Sequence, residues 1–166
     1  MKYLLSIAML LGYCGIAMSF ELPLPPYNSS KQTGQSICTS APVDRKAVYF
    51  EKDKFESPAN DNDDDAIALQ AAIDLVAKQS GGGVIFIPEG IYRFGKTVNL
   101  WKGIRLFGYG KTRPIFKLKD YSPYFKEGKG TYLIHFCHSK PKENEPIQDA
   151  NNNTFFSGIS NINFDL

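Results

Sequence analysis

Cysteine, histidine and tryptophan are scarce: the 166-residue chain has three, two and one of them. It contains no Cys-x-x-Cys pair and no His-rich spacing, so a zinc site has no basis in the sequence. A long basic block is also missing. Lys and Arg number 19 against 17 Asp and Glu, a formal net charge of +2, and nothing calls for a nucleic-acid or anionic-membrane partner. Only one amphipathic helical pattern occurs, so the crossover helices of a doubly wound α/β sheet are lacking and that class is excluded. Aromatics, by contrast, are plentiful, with 12 Phe and 9 Tyr, and strands favour them. The length suffices for one domain with a core.

Residues 1–19 read as a signal peptide. Lys2 gives a positive start, residues 3–17 an apolar run, and Ala17-Met18-Ser19 a cleavage site, with Gly15-Ile16-Ala17 as a second choice. A membrane anchor would need a span of about 20 apolar residues, and this run is shorter. A lipoprotein reading on Leu11-Gly12-Tyr13-Cys14 is weakened by Tyr13, which stands where a small residue belongs. The expectation is an exported protein, secreted, periplasmic or at the cell surface, with no membrane span in the mature chain. Loss of Cys14 with the leader leaves Cys38 and Cys137, and spacing does not decide whether they pair or stay free. Residues 20–44, with Pro23, Pro25 and Pro26, read as an extended arm. Asn28-Ser29-Ser30 and Asn152-Asn153-Thr154 fit the N-glycosylation pattern, which matters only in a glycosylating host.

Residues 61–94 organise the rest. Asp64 or Asp65 is a natural N-cap, and the carboxylates around it suit the positive end of a helix. Leu69, Ala72, Ile73 and Val76 then fall at i, i+3, i+4 and i+7, predicting one apolar face on a helix over 66–79. Gly81-Gly82-Gly83 ends it. Val84-Ile85-Phe86-Ile87 follows as a continuous apolar run, the mark of a strand buried on both faces. Pro88-Glu89-Gly90 reads as a turn, and short extended runs are predicted at 48–50, 91–94, 98–100, 104–107, 115–118, 132–136 and 159–164. Residues 141–153 are polar and read as a projecting loop. The pattern leaves a β-sandwich and a parallel β-helix as contenders.

Asp64-Asp65-Ala66 with Leu69-Gln70-Ala71-Ala72-Ile73, then Gly82-Gly83 and Pro88-Glu89-Gly90-Ile91-Tyr92, resembles the opening of pectate-lyase-superfamily proteins. Ala66 stands where that pattern has Thr. Gly103-Ile104-Arg105-Leu106-Phe107-Gly108-Tyr109-Gly110 is similar to the next coil, and residues 153–162 to a later coil in the branch that includes exo-β-1,3-glucanases. The resemblance covers about residues 45–166. It implies a mainly β fold, a right-handed parallel β-helix whose N-terminal end is covered by the helix over 66–79. An open end would expose unpaired strand groups, so a cover there is physically apt. The chain stops at Leu166 directly after a strand-like run, with no matching C-terminal cap, so 45–166 is expected to be the N-terminal part of a longer protein.

Individual constellations favour structural roles. Asp61, Asp63 and Asp65 have calcium-loop spacing, but Ala66 replaces the required Gly and Ala72 the required Glu, so capping and solvation are expected. Gly110-Lys111-Thr112 has the outline of a phosphate loop, but Arg105 stands in place of its first Gly and no helix follows, so a coil turn is expected. His135 and Cys137 would share a strand face, with His138 beyond, and no acid or base partner is placed by sequence. Trp101, Tyr121, Tyr124 and Tyr132 could stack on sugar rings, although wall packing is the commoner fate of such aromatics. Asp120, Asp149 and Asp165 could belong to a carboxylate pair for glycoside hydrolysis, but spacing singles out no pair.

The expected function is polysaccharide degradation, by glycosidic hydrolysis as in β-1,3-glucanases or by β-elimination as in pectate lyases. No catalytic residue is assigned; in the glucanase-like relatives these residues are expected beyond Leu166. No resident cofactor is expected, and calcium enters only if the full protein is a lyase. The alternatives are a non-catalytic binding or adhesive module, as in tailspikes, and a truncated product without activity.

Overall fold

Each turn of the chain lays one strand into each of three walls. The computed structural model describes residues 34–125, 131–152 and 154–166. The signal-peptide reading, Cys14, the first sequon and the arm before Gly34 lie outside the described residues, as does Asn153 of the second sequon. The strands are β1 (Val48–Tyr49), β2 (Gly83–Pro88), β3 (Ile91–Phe94), β4 (Val98–Leu100), β5 (Ile104–Tyr109), β6 (Ile115–Leu118), β7 (Ile134–Phe136), β8 (Gly158–Ser160) and β9 (Asn163–Asp165). They form sheets ordered β1-β2-β5-β8, β3-β6-β9 and β4-β7. Every pairing among these strands is parallel, a topology that a sandwich of hairpins cannot produce. The fold is a right-handed parallel β-helix.

Register stacks like residues inside the coil. Val48, Ile85, Leu106 and Ile159 align on the first wall, and Tyr92, Phe116 and Phe164 on the second. The rings of Phe116 meet those of Tyr92 at 6.2 Å, Phe94 at 4.8 Å and Phe164 at 5.8 Å, all edge-on, a favoured aromatic geometry. Ile85, Leu106 and Phe116 are fully buried, and each such side chain contributes roughly 1.5–3 kcal/mol of transfer free energy. Ile85 pairs with Leu106, and Leu106 with Ile159, much farther along the chain, because long stretches of sequence separate β6 from β7 and β7 from β8.

Helix α2 (Ala66–Ser80) covers the first coil, and the face expected from spacing is the one buried: Leu69, Ala72 and Ile73 are wholly inaccessible and Val76 nearly so. Gly81 ends it in the left-handed region (φ 68°), its N–H donating to Ala77 O. The polar edge of the coil is closed as well. Strand β1 pairs with β2. On β3, Asn60 N donates to Ile91 O (2.9 Å) while Asn60 Oδ1 accepts from Ile91 N (3.0 Å). Two residues on, Asp65 N donates to Arg93 O and Asp65 Oδ2 accepts from Arg93 N, both at 2.7 Å. On β4, Gln70 Oε1 accepts from Asn99 N (2.8 Å) and Gln70 Nε2 donates to Asn99 O (3.2 Å). Asn60, Asp65 and Gln70 thus each present a donor and an acceptor to one edge residue, as a neighbouring strand would.

Some local expectations are corrected. Asp65 occupies the N-cap position but makes no side-chain cap bond, because its carboxylate is committed to Arg93 N and Ser57 Oγ. Asp64 takes the capping role, its Oδ1 accepting from Ala66 N and Gly95 N at 3.0 Å. A one-turn helix, α1 (Lys52–Phe55), precedes the acidic turn; it buries no residue and is too short for periodicity to reveal. The run over 159–164 is two strands, because Asn161 turns the corner with φ 55°.

The described part of the arm lies on the same corner. Asn161 Nδ2 donates to Ser36 Oγ and to Gly108 O, both at 2.7 Å, and Asn161 Oδ1 accepts from Ile37 N. Cys38 and Cys137 are both free thiols.

Candidate functional site

The acidic turn is occupied with structural work. Asp61 Oδ1 accepts from Asp63 N (3.1 Å), and Asp61 O accepts from the Arg93 guanidinium. Asp65 is 3% exposed, and burial pushes its carboxyl above the ordinary carboxylate range against the opposing pull of Ser57 and Arg93 N. Its oxygens face the wall, turned away from the solvent side of the turn. Gly110-Lys111-Thr112 is a coil turn: Glu89 Oε2 accepts from Thr112 N at 2.9 Å, and that bond holds the Glu89 carboxyl below its usual value. Trp101 is wall packing, 5% exposed, its Nε1 donating to Asp74 Oδ1 at 2.7 Å. Asp74 Oδ2 also pairs with Lys140 Nζ at 2.6 Å. His138 serves through its backbone, N–H to Gln148 O and O from Lys102 N.

The remaining candidates sort into two grooves on the outer walls, both bordered by residues 119–125. The first, ≈ 590 Å³, lies over the outer side of β6 and β9 and is lined by Lys117, Lys119, Asp120, Tyr121 and Asp165 among others. Lys117 and Asp165 are register partners on adjacent strands, and Nζ meets Oδ2 at 3.0 Å. The structure therefore brings together Asp120 and Asp165, two of the three candidate carboxylates, and places Asp149 elsewhere. Tyr121 is fully exposed here, held at φ 56°.

The second groove, ≈ 450 Å³, opens over the outer side of β4 and β7 and is lined by Thr97, Asn99, Tyr124, Tyr132, His135 and Asp149 among others. His135 is the register partner of Asn99, which sets both on the outer face. Asp149 arrives from the long loop, where Cys137 and Asp149 form an antiparallel bridge. His135 Nε2 and Asp149 Oδ1 are 2.8 Å apart, so His135 has the acidic partner that spacing did not supply. The Tyr132 ring stacks on the imidazole, centroids 5.4 Å apart and planes within 22°. Tyr124 and Tyr132 are 51% and 57% exposed, so wall packing is not their role. Cys137 lies beneath, with Sγ 3.5 Å from Asn99 Oδ1. Burial, and then the nearby Asp149 charge, pushes its thiol up to about 11, far from a reactive thiolate.

Sequence reasoning missed Thr97, Asn99, Lys117 and Lys119 as groove residues. Outward alternation in Val98-Asn99-Leu100 was the available signal for Asn99. Among the described residues no helix is long and apolar enough to cross a membrane.

Three walls of parallel strand, a helical lid and grooves on the outer faces define a pectate-lyase-like β-helix protein. The chain belongs to the family described as rhamnogalacturonase A/epimerase, pectate lyase-like, which matches residues 53–166. It is 39% identical over 54 residues to an iota-carrageenase of Alteromonas macleodii, a match spanning 32% of this chain and 11% of that protein. Two solved structures are also similar. The iota-carrageenase of A. fortis is 25% identical with a TM-score of 0.45, covering 60% of this chain and 20% of that one. An iota-carrageenase complexed to iota-carrageenan fragments is 19% identical with a TM-score of 0.47, covering 85% and 32%. The chain thus spans a small part of each of these relatives.

Proposed function

We propose that the chain forms the N-terminal lid and first coils of an exported protein that degrades an extracellular polysaccharide by glycosidic hydrolysis. The observation that carries this is family membership over residues 53–166 together with the 39% identical segment shared with an iota-carrageenase. That relative makes a sulfated galactan a more pointed substrate class than β-1,3-glucan or pectate. The cleaving carboxylates are assigned to coils outside these residues. Asp149 is already paired with His135 and Asp165 with Lys117, whereas hydrolysis needs two carboxylates flanking the bond at roughly 5–9.5 Å. The reading needs no resident cofactor; calcium would enter only with an eliminating mechanism.

Reducing-sugar release from a panel of sulfated galactan, β-1,3-glucan and pectin tests it. Release from the galactan supports the reading. Ultraviolet-absorbing unsaturated ends would point to a lyase instead. Binding without either product would favour an adhesive module, a second reading that rests on the exposed rings of Tyr121, Tyr124 and Tyr132.

A further inference from the structure

We propose that the outward face of the lid helix is a self-association surface, on which a second copy of this chain packs its own α2 antiparallel about a two-fold axis near Ala71. The surface is independent of the polysaccharide reading. α2 buries Leu69, Ala72, Ile73 and Val76 and leaves the opposite side outward. Ile67, Ala71, Leu75 and Lys78 fall at i, i+4, i+8 and i+11 along that side. Ile67 is 65% exposed, where a solvated helix face would carry a polar residue. Ala71 is exposed and small, so a second helix can approach closely at the middle of the face. A groove flanks the face on either side. One, ≈ 460 Å³, opens towards α1 and is lined by Phe55, Ile67, Ala68 and Ala71 among others. The other, ≈ 610 Å³, opens towards Lys140 and Pro141 and is lined by Ala71, Leu75 and Ala77 among others. The face lies at the capped end of the stack, opposite β8 and β9, so coils added after β9 would leave it bare.

Charge selects the occupant and its direction. At the N-terminal end of α2 stand Asp53, Glu56 and Asp64 against Lys54. At the C-terminal end Lys78 and Lys140 outnumber Asp74, and Arg45 and Lys46 outnumber Asp44. Asp53 and Glu56 belong to α1 and its C-cap, and Arg45 and Lys46 precede β1, so compensation of the α2 dipole by its own residues does not account for the asymmetry. A surface acidic at one end and basic at the other is its own complement under a two-fold rotation. With the axis at Ala71, Ile67 of one copy lies over Leu75 of the other, and Lys78 meets the acidic end. The helix dipoles also run in opposition. α2 has 15 residues and is roughly 22 Å long, a small face for an interface, so the association is reversible.

Sedimentation velocity on the full chain, from low micromolar to near-millimolar concentrations, tests the proposal. A reversible monomer–dimer equilibrium is expected. Ala71→Glu, which sets two like charges at the axis, should leave the protein monomeric with native circular dichroism. Lys78→Glu should weaken dimerisation by about fivefold or more, and adding Asp53→Lys should recover most of that loss. A protein monomeric at every concentration would overturn the proposal, whether the face is bare or covered by another stretch of the same chain. So would a dimer that Ala71→Glu leaves intact, which would place the contact elsewhere. Failure of the double variant to recover would overturn the antiparallel arrangement.

Discussion

Gln70 meets Asn99 through both ends of its amide, Oε1 on the Asn99 N–H and Nε2 on the Asn99 carbonyl, at 2.8 and 3.2 Å. A side chain of the lid helix thereby takes the place of a strand on the edge of β4. Gln70→Ala should leave that donor and acceptor unsatisfied and cost about 1–3 kcal/mol. Gln70→Glu should also destabilise, because a carboxylate cannot donate to Asn99 O and would meet Asp74, to which Gln70 Nε2 now donates at 3.1 Å. Denaturant unfolding of the two variants checks both outcomes.

Asp65 does the same for β3 while carrying a buried acid. In Asp65→Asn the amide oxygen can accept from Arg93 N and the amide nitrogen can donate to Ser57, so the change should be mild, within about 1 kcal/mol, whereas Asp65→Ala should cost roughly 2–4 kcal/mol. The pH dependence has a definite sign. Burial raises the folded carboxyl above its ordinary 3.8, so the protonated form is favoured in the fold. That contribution is present below 3.8 and is lost as pH rises through the folded value. Stability of Asp65→Asn relative to wild type should therefore improve from acid to neutral pH. A flat difference across that range would contradict the assignment.

The two thiols should differ in reactivity. Cys137 is fully buried and Cys38 partly exposed. Alkylation of the native protein, read by mass spectrometry, should label Cys38 and reach Cys137 only on unfolding. Because the Cys137 thiol moves from 9.0 to about 11 on folding, its contribution is lost as pH climbs through that window. Cys137→Ala should lose less stability over the same pH range than wild type does, which unfolding curves at several pH values would show.

Asn161 ties the arm to the coil. Asn161→Gly tolerates the positive φ but removes the bonds to Ser36, Ile37 and Gly108. The Ile37 amide should then exchange markedly faster, with a stability loss of about 1–3 kcal/mol. Gly108→Ala should disturb the same corner more severely, since its Cβ would sit 2.2 Å from Asn161 O and 2.6 Å from Pro114 Cδ.

The lid was legible because its apolar spacing is local: Leu69, Ala72, Ile73 and Val76 read as one face and are one face. The strands were legible for a similar reason, as short apolar runs between turns. The division of labour between Asp64 and Asp65 was not. Both are plausible caps, and only the approach of Arg93 decides which carboxylate turns inward. The grooves were illegible because they depend on register across long loops. Asn99 and His135 meet as register partners although they lie far apart in sequence, and Asp149 reaches His135 from beyond β7. Wall packing was the expected fate of Trp101, Tyr121, Tyr124 and Tyr132, and it holds for Trp101 alone. Loop tyrosines carry no periodicity that separates an inward ring from an outward one.

The proposed hydrolysis of a polysaccharide is tested most directly by the mass of the products. The oligosaccharides this protein releases from a sulfated galactan should together carry one added water per bond cleaved. Products lacking that water and bearing an unsaturated end, or a galactan left at its original size, would contradict it.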